Sequence, residues 1–484
     1  MRHAFVHIIA LLRYICLKIC RSAYVNFIEN LIENLFEIFV LFHWTNVLFC
    51  AIIVPEVIKM SDRTYLCIDL KSFYASVECV ERRLDPMKTN LIVADPSRGS
   101  GTVCLAVTPS MKALGVRNRC RVFEIPPDIE YITAPPRMQL YINYSAMIYS
   151  VYLEFISKDD IHVYSVDEAF LDVTSYLTLY GMTAYDLGRK IMDTILQKTG
   201  IRAACGIGTN LYLAKIALDI TAKHSPDFIG YLDESEYRRT LWKHTPLTDF
   251  WRIGKGTSQR LERYGITTMQ SIAEANEELL YKLFGIDAEL LIDHAWGRES
   301  TTIADIKKYR PKTGSLSSGQ VLPRDYSFDE GKIILKEMMD SLCLDLTDKN
   351  LVTNSISLYV GYSNGLKIPG VHGSLSLGNE TNSDRVMLPA IEQLFSQITD
   401  HSLPIRRFNI SCNHICSEEF RQFSFLEDSE DDERSRNIRK AVIGVKKKYG
   451  KNAVLRGMNF QESATARERN CQIGGHRSGE QTTF

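Results

Sequence analysis

Two short runs place carboxylates at the ends of apolar, β-prone stretches: Tyr65-Leu-Cys-Ile-Asp69-Leu70-Lys71-Ser72-Phe73-Tyr74-Ala-Ser-Val-Glu78 and Val163-Tyr-Ser-Val-Asp167-Glu168-Ala-Phe-Leu-Asp172. A buried charge in such a setting is costly unless it is paired or binds a metal. If Asp69 ends one strand and Asp167 with Glu168 sits on a hairpin, the three carboxylates can share one sheet edge. Packed together they repel and raise one another's pKa values unless divalent cations compensate. Mg²⁺ suits such a set, because it takes a few carboxylates plus phosphate oxygens from a substrate. Two such ions can activate an attacking hydroxyl and stabilise a leaving pyrophosphate. An isolated Asp-Glu pair is more often a solvated hairpin tip; the two runs together fit that reading poorly.

The elements that must hold these groups follow from local pattern. Residues 64–69 read as a strand and 72–82 as a helix, with Ser72 as its N-cap. Short buried strands are expected at 91–94 and 102–107, around the turn cluster 95–101. A helix over 108–114 ends at Gly115, and Pro126, Pro127, Pro135 and Pro136 mark a loop region. Helical periodicity covers 139–157. Strands over 161–166 and 169–174 put Asp167-Glu168 at their turn. Helix 185–199, strand 203–208 and helix 211–222 follow. This order, with hairpins and no strict strand–helix alternation, predicts an α+β, multidomain chain rather than a doubly wound sheet. Residues 231–300 are helical, a basic link Lys307-Lys308-Tyr309-Arg310-Pro311-Lys312 follows, and 315–425 return to mixed α/β with alternating strands such as 355–360. An acidic run, 427–433, then precedes a basic segment, 434–456.

At 484 residues the chain has room for several domains. Its net charge of −1 does not announce a nucleic-acid binder, so any basic surface is local. The 12 cysteines lack paired spacing and fit a reducing cytoplasm. Cys412-Asn-His414-Ile-Cys416 has the spacing of a metal half-site but no partner half, and reads as core or surface. Residues 1–59 are apolar, and Ile38–Val54 holds no Asp, Glu, Lys or Arg, which is marginal for a membrane span. We read 1–59 as upstream sequence translated ahead of a native start at Met60; a membrane anchor or an ordered extension are the alternatives. With a start at Met60, no membrane partner is expected.

The runs Ile68-Asp-Leu-Lys-Ser-Phe-Tyr-Ala-Ser-Val-Glu78 and Tyr164-Ser-Val-Asp-Glu-Ala-Phe-Leu-Asp172 closely resemble the two signature motifs of Y-family, translesion DNA polymerases, and are most similar to the bacterial UmuC-like branch typified by the catalytic subunit of polymerase V. The resemblance extends over nearly all the chain after Met60. It implies a right-handed polymerase: palm 60–230 with fingers inserted at about 75–135, thumb 231–300, linker 301–314, little finger 315–421, and a clamp peptide with charged tail over 422–484. It implies Asp69, Asp167 and Glu168 as metal carboxylates, with Leu70 giving a backbone carbonyl. Tyr74 is then the steric gate under the incoming sugar, and Phe73 lies beside it against the nucleotide; ordinary core packing is the alternative for both. Lys71 stands where many relatives carry another acid.

Relatives meet the triphosphate with a Tyr and an Arg before a Gly-Val pair. Here that stretch is Thr108-Pro109-Ser-Met-Lys112-Ala-Leu-Gly115-Val116, so Lys112 replaces the fork by a point charge and Pro109 removes a hydroxyl. Lys223 matches a second phosphate lysine. Gly254-Lys255-Gly256 resembles the helix–hairpin–helix turn whose amides bind DNA backbone, and Arg324 is a template-phosphate candidate. Gln422-Phe-Ser-Phe425-Leu426 resembles the sliding-clamp pentapeptide, with a closing core strand as the alternative. The implied activity is addition of dNTPs to a primer on template DNA with two Mg²⁺ ions, in the cytoplasm, as part of SOS-type damage tolerance; accessory SOS proteins are further candidate partners. The rival readings are a nucleotide cyclase of the palm type and a catalytically silent DNA- or clamp-binding relative.

Overall fold

The computed structural model describes residues 63–311, 313–418 and 429–479. The expectations for residues 1–59 and for Gln422, Phe425 and Leu426 lie outside them. Among the described residues no helix is long and apolar enough to cross a membrane.

The chain enters as β1 (Tyr65–Leu70) and turns directly into α1 (Phe73–Glu81). A small lobe follows: β2 (Leu91–Val93), β3 (Ala106–Val107), α2 (Pro109–Ala113) and β4 (Ile132–Ala134). Then come α3 (Met138–Leu153), β5 (Ile161–Val163), β6 (Glu168–Asp172), α4 (Thr174–Tyr180), α5 (Ala184–Thr199), β7 (Ala203–Gly208), α6 (Leu211–Ile216) and β8 (Ile229–Leu232). One five-stranded sheet runs β5-β6-β1-β7-β8, and a separate three-stranded sheet runs β3-β2-β4. β1 lies antiparallel between β6 and β7, so its Leu66, Cys67 and Ile68 are buried on both faces, which is why it reads as an unbroken apolar run. α5 packs an apolar stripe through Leu187, Ile191 and Ile195; Thr183 caps its start by accepting from the Asp186 amide, and Gly200 ends it at φ +71°.

Several local expectations are corrected. Ser72 sits at φ 49° and makes no capping bond, because the chain bends too sharply from β1 into α1. The 102–107 strand shrinks to Ala106–Val107, with Val103 in an isolated bridge to Arg121. The 161–166 strand stops at Val163, since the Tyr164 and Ser165 amides both turn back to donate to Glu168 O. Helix 211–222 is α only to Ile216; it widens to a π-turn over Ala217–Thr221 and tightens to a 3₁₀ turn at Ala222–His224. Such wide turns are frequent at functional sites.

The next stretch is helical: α7 (Glu234–Thr240), α8 (Lys255–Glu262), α9 (Met269–Ala273), α10 (Glu277–Phe284), α11 (Asp287–Trp296) and α12 (Ile303–Lys308). Tyr212, Tyr237, Phe250, Leu261, Met269 and Leu280 form its core. Within it His294 lies 3.1 Å from Glu299, whose other oxygen accepts the Thr301 amide at 2.8 Å. Burial would raise the Glu299 carboxyl, but these bonds overcome it and hold it down at about 2. A carboxylate depressed in the fold gives stability that is complete above its unfolded value of about 4.3 and lost as pH falls toward 2. Urea midpoints should therefore fall between pH 5 and 3 in the wild type and fall less in Glu299→Gln, on the order of 1 kcal/mol apart; parallel curves would remove Glu299 from this role.

The last large unit is a four-stranded sheet, β11-β10-β12-β9, built from β9 (Gly314–Tyr326), β10 (Leu351–Tyr362), β11 (Val371–Thr381) and β12 (Ile405–Ser417). α13 (Phe328–Asp348) and α14 (Asp384–Ile398) share an apolar core with the sheet, and β9 and β11 alternate half-buried with exposed residues, as a sheet covered on one face must. Cys412 is buried in this core, whereas His414 bulges out at φ 51° and bonds Asn354, so the Cys/His cluster splits across the sheet. α15 (Ser429–Tyr449), α16 (Ala466–Asn470) and a hairpin of β13 (Gln472–Ile473) and β14 (His476–Arg477) are the last elements among the described residues. Buried Glu337 of α13 accepts from Asn459 and from the Thr465 and Ala466 amides at 2.8–3.0 Å, anchoring this tail. The hairpin then crosses to the small lobe: Arg477 Nε donates to Asp95 at 3.1 Å, Arg98 to Gly475 O at 2.8 Å, and the Gln139 amide to Ser478 O at 2.9 Å.

Candidate active site

Register brings the two acidic runs together. Asp69 of β1 is paired directly with Glu168 of β6, and the Leu70 amide donates to Asp167 O at 3.0 Å. Asp69, Leu70, Asp167 and Glu168 therefore occupy one end of the central sheet. Their side chains are held apart by other partners. Lys215 Nζ lies 2.6 Å from Glu168 and 3.1 Å from Asp219. Lys223 Nζ lies 2.8 Å from Asp219 and 3.5 Å from Asp69. Asp167 is half-exposed and accepts from Ser165 Oγ at 2.6 Å.

Close packing makes this possible. Lys215, Asp219 and Lys223 recur every fourth residue through α6, its π-turn and the 3₁₀ turn that follows. That segment lies so near β7 that a Cβ on Gly206 would come 2.1 Å from Ala214 O, and one on Gly208 would come 2.1 Å from Ala214 N. Only glycine lets α6 approach until its lysine reaches Glu168 across the sheet.

The electrostatics point to missing positive charge. Burial, opposed by Lys223 and reinforced by Asp167 and Glu168, pushes the Asp69 carboxyl up to about 6. Burial alone would lower the Lys215 amine; Cys67, Asp219 and Glu168 overcome it and hold it above its ordinary value. Among the described residues no three His, Cys, Asp or Glu side chains already converge in metal-holding geometry. The hard oxygen donors nonetheless fit Mg²⁺, since a cation would offset the burial that chiefly raises Asp69 and the repulsion from Asp167 and Glu168 that adds to it.

Beside the carboxylates lies a patch of amines. Lys71 Nζ sits over the Phe228 ring at 3.5 Å; burial first, then Lys112, lowers its amine to about 8. The Lys112 amine is likewise lowered by crowding of neighbouring atoms, with Asp69 opposing and Lys223 adding to the shift. Both amines are lowered chiefly by burial, with a neighbouring lysine adding to each; an anion such as a polyphosphate would relieve them.

Of the aromatic pair, Phe73 is only 3% exposed and belongs to the core, while Tyr74 is half-exposed and stacks on Tyr141. In the helical region Gly254, Lys255 and Gly256 are exposed at the start of α8, where added Cβ atoms at either glycine would meet nothing within 4 Å. Arg324 is already engaged: it donates to Glu330 at 2.6 Å and lies over the Tyr326 ring. Away from the carboxylates, a groove of about 2120 Å³ lies between residues 95–121, β9 and the tail, bordered by Arg98, Arg121, Arg407 and Arg469. Sequence reasoning missed Lys215 and Asp219; their spacing of eight and four from Lys223 was the available signal.

Residues 68–219 match a family model described as the impB/mucB/samB family, and residues 313–425 match the C-terminal domain of the same family. The chain is 31% identical over 421 residues to "Putative UV-damage repair protein UvrX" of Bacillus subtilis, covering 86% of this chain and 98% of that protein. It is 29% identical over 420 residues to DNA polymerase IV 2 of Bacillus subtilis, covering 86% and 99%. It is 28% identical to DNA polymerase IV 2 of Halalkalibacterium halodurans, covering 86% and 99%. Among solved structures, a Y-family DNA polymerase chimera, Dbh-Dpo4(243-245)-Dbh, superposes with a TM-score of 0.58 at 22% identity, covering 73% of this chain and 99% of that one.

Proposed function

Since the chain belongs to the impB/mucB/samB family, the Y-family DNA polymerases, we propose that Asp69, Asp167 and Glu168 form the centre at which it joins a dNTP to a primer 3′-hydroxyl. The protein is a DNA-directed DNA polymerase of translesion synthesis and DNA repair, a metal-dependent nucleotidyltransferase acting on primer–template DNA and dNTPs. The observation that carries the site assignment is the pairing of Asp69 with Glu168 at the sheet end that also holds Asp167.

Two Mg²⁺ ions, when bound, supply the charge that stabilises the attacking and leaving oxygens. Asp69, Asp167, Glu168 and the Leu70 carbonyl are the groups that would hold them. Lys112 and Lys223 take the triphosphate as point charges. Lys215, buried against Glu168, holds that carboxylate in place. Tyr74 lies under the sugar and rejects a 2′-hydroxyl. The amides of Gly254, Lys255 and Gly256 receive a DNA phosphate without reading sequence. In this reading the β5–β8 sheet is the palm, the small lobe the fingers, α7–α11 the thumb and β9–β12 with α13 and α14 the little finger. Gln422, Phe425 and Leu426 dock on the bacterial sliding clamp, and the enzyme works in the cytoplasm.

The test is sugar selection. Tyr74→Ala should raise ribonucleotide incorporation relative to deoxynucleotide by on the order of 10²-fold, read as a ratio of kcat/KM values in primer extension. Unchanged selectivity would remove Tyr74 from the gate.

A further inference from the structure

We propose that Tyr141 is a positioning residue for Tyr74, and that the bonds holding Tyr141 set how strictly this polymerase excludes ribonucleotides. The proposal rests on the reading of Tyr74 as the sugar gate.

The Tyr74 and Tyr141 rings are stacked, with centroids 4.5 Å apart and planes 17° from parallel. Tyr74 has one face on this partner and is half-exposed; Tyr141 is fully buried and reaches no substrate. Tyr141 is itself fixed. Its hydroxyl donates to Glu78 Oε1 at 2.8 Å. Glu78 is fully buried and accepts from Arg137 through both oxygens, Nε at 2.9 Å and Nη2 at 2.8 Å, and from Arg82 as well.

The spacing explains the interlock. Tyr74 and Glu78 are four residues apart on α1, so they share one helical face. Arg137 and Tyr141 are four apart at the start of α3 and share the opposing face. The two pairs mesh, ring on ring and fork on carboxylate. The start of α3 is held in turn by the tail, since Gln139 donates to Ser478 O and Gly479 leaves no room for a side chain against Arg137.

A steric gate works only if its ring does not yield. An extra hydroxyl adds one oxygen's radius, and a ring free to change rotamer or tilt by a fraction of an ångström would admit it. A lone half-exposed tyrosine has that freedom. A tyrosine stacked on a ring pinned by a bidentate Arg–carboxylate pair does not. Tyr141 thus adds nothing to deoxynucleotide chemistry and sharpens rejection of the ribose.

The experiment measures kcat/KM for a dNTP and the rNTP of the same base on an undamaged primer–template with Mg²⁺, using the full-length protein. Tyr141→Leu keeps an apolar group but loses the stack. It should relax discrimination by about tenfold while dNTP kcat/KM changes by less than about threefold. Tyr141→Phe keeps the ring without its bond to Glu78 and should fall between Leu and wild type. Equal losses for both nucleotides in Tyr141→Leu, or wild-type discrimination, would overturn the proposal. Should Tyr141→Leu fail to fold, Tyr141→Phe decides alone: discrimination equal to wild type overturns the pinning. Tyr74→Ala run in parallel separates the readings. If it too leaves selectivity unchanged, the gate itself is wrong and this inference falls with it; if it relaxes selectivity and Tyr141→Leu does not, only the positioning role fails.

Discussion

Asp167→Ala is expected to abolish primer extension by the full-length protein in Mg²⁺, lowering kcat/KM by at least about 10³-fold. The residue is chosen because its loss should leave the fold intact. Asp167 is half-exposed and its carboxylate is held by a single serine hydroxyl, so the melting temperature should move by no more than about 2 °C. Its neighbours do not offer so clean a test. Glu168→Ala would leave the Lys215 ammonium buried and short of a partner, a loss on the order of 3–5 kcal/mol that confounds activity with stability. Extension by Asp167→Ala at the wild-type rate would dismiss the assignment of the metal carboxylates.

The largest expected effect on stability falls on two residues that carry no chemistry. Gly208→Ala would place a methyl 2.1 Å from Ala214 N and 2.6 Å from Leu213 C; Gly206→Ala would place one 2.1 Å from Ala214 O and 2.3 Å from Leu218 N. The obstacles are backbone atoms in a buried layer, so no side chain can swing aside. α6 must lift off β7, opening the buried contacts of Leu211, Ala214 and Leu218. Each substitution should cost more than about 4 kcal/mol, at the severe end for a single residue, and should be read as a collapse of the denaturation midpoint or as insoluble protein. A wild-type midpoint in either variant would show that the segment can retreat cheaply. Because the same segment carries Lys215 and Lys223, any surviving fraction should also bind nucleotide poorly.

The sequence made the reactive groups legible because types and short spacing sufficed: an Asp ending an apolar strand, an Asp-Glu pair before another, an aromatic pair after the first. It did not reveal that Asp69 faces Glu168, because a strand register between residues about a hundred apart is set by the pairing of whole strands. Nor did it show that Phe73 and Tyr74 part company, one into the core and one to the surface; adjacent helical residues differ by about 100° in direction, and only the packing of α1 says which face is inside. Ser72 looked like a cap because serine commonly is one, but tertiary geometry placed it at positive φ. Arg324 looked free as a charge, yet Glu330, capping the next helix, takes it. The π-turn over 217–221 left no local sign; it continues a segment packed closely against two glycines of another element.

The tail hairpin has a consequence for the order in which the molecule assembles. Its bond between Arg477 and Asp95 spans 382 positions of the chain, so every intervening domain must be in place before that closure is rewarded. It should therefore form late and open early. In native-state hydrogen exchange the Gln139 amide, sealed only by Ser478, should exchange through a low-energy local opening while the interior amides of β1 wait for global unfolding.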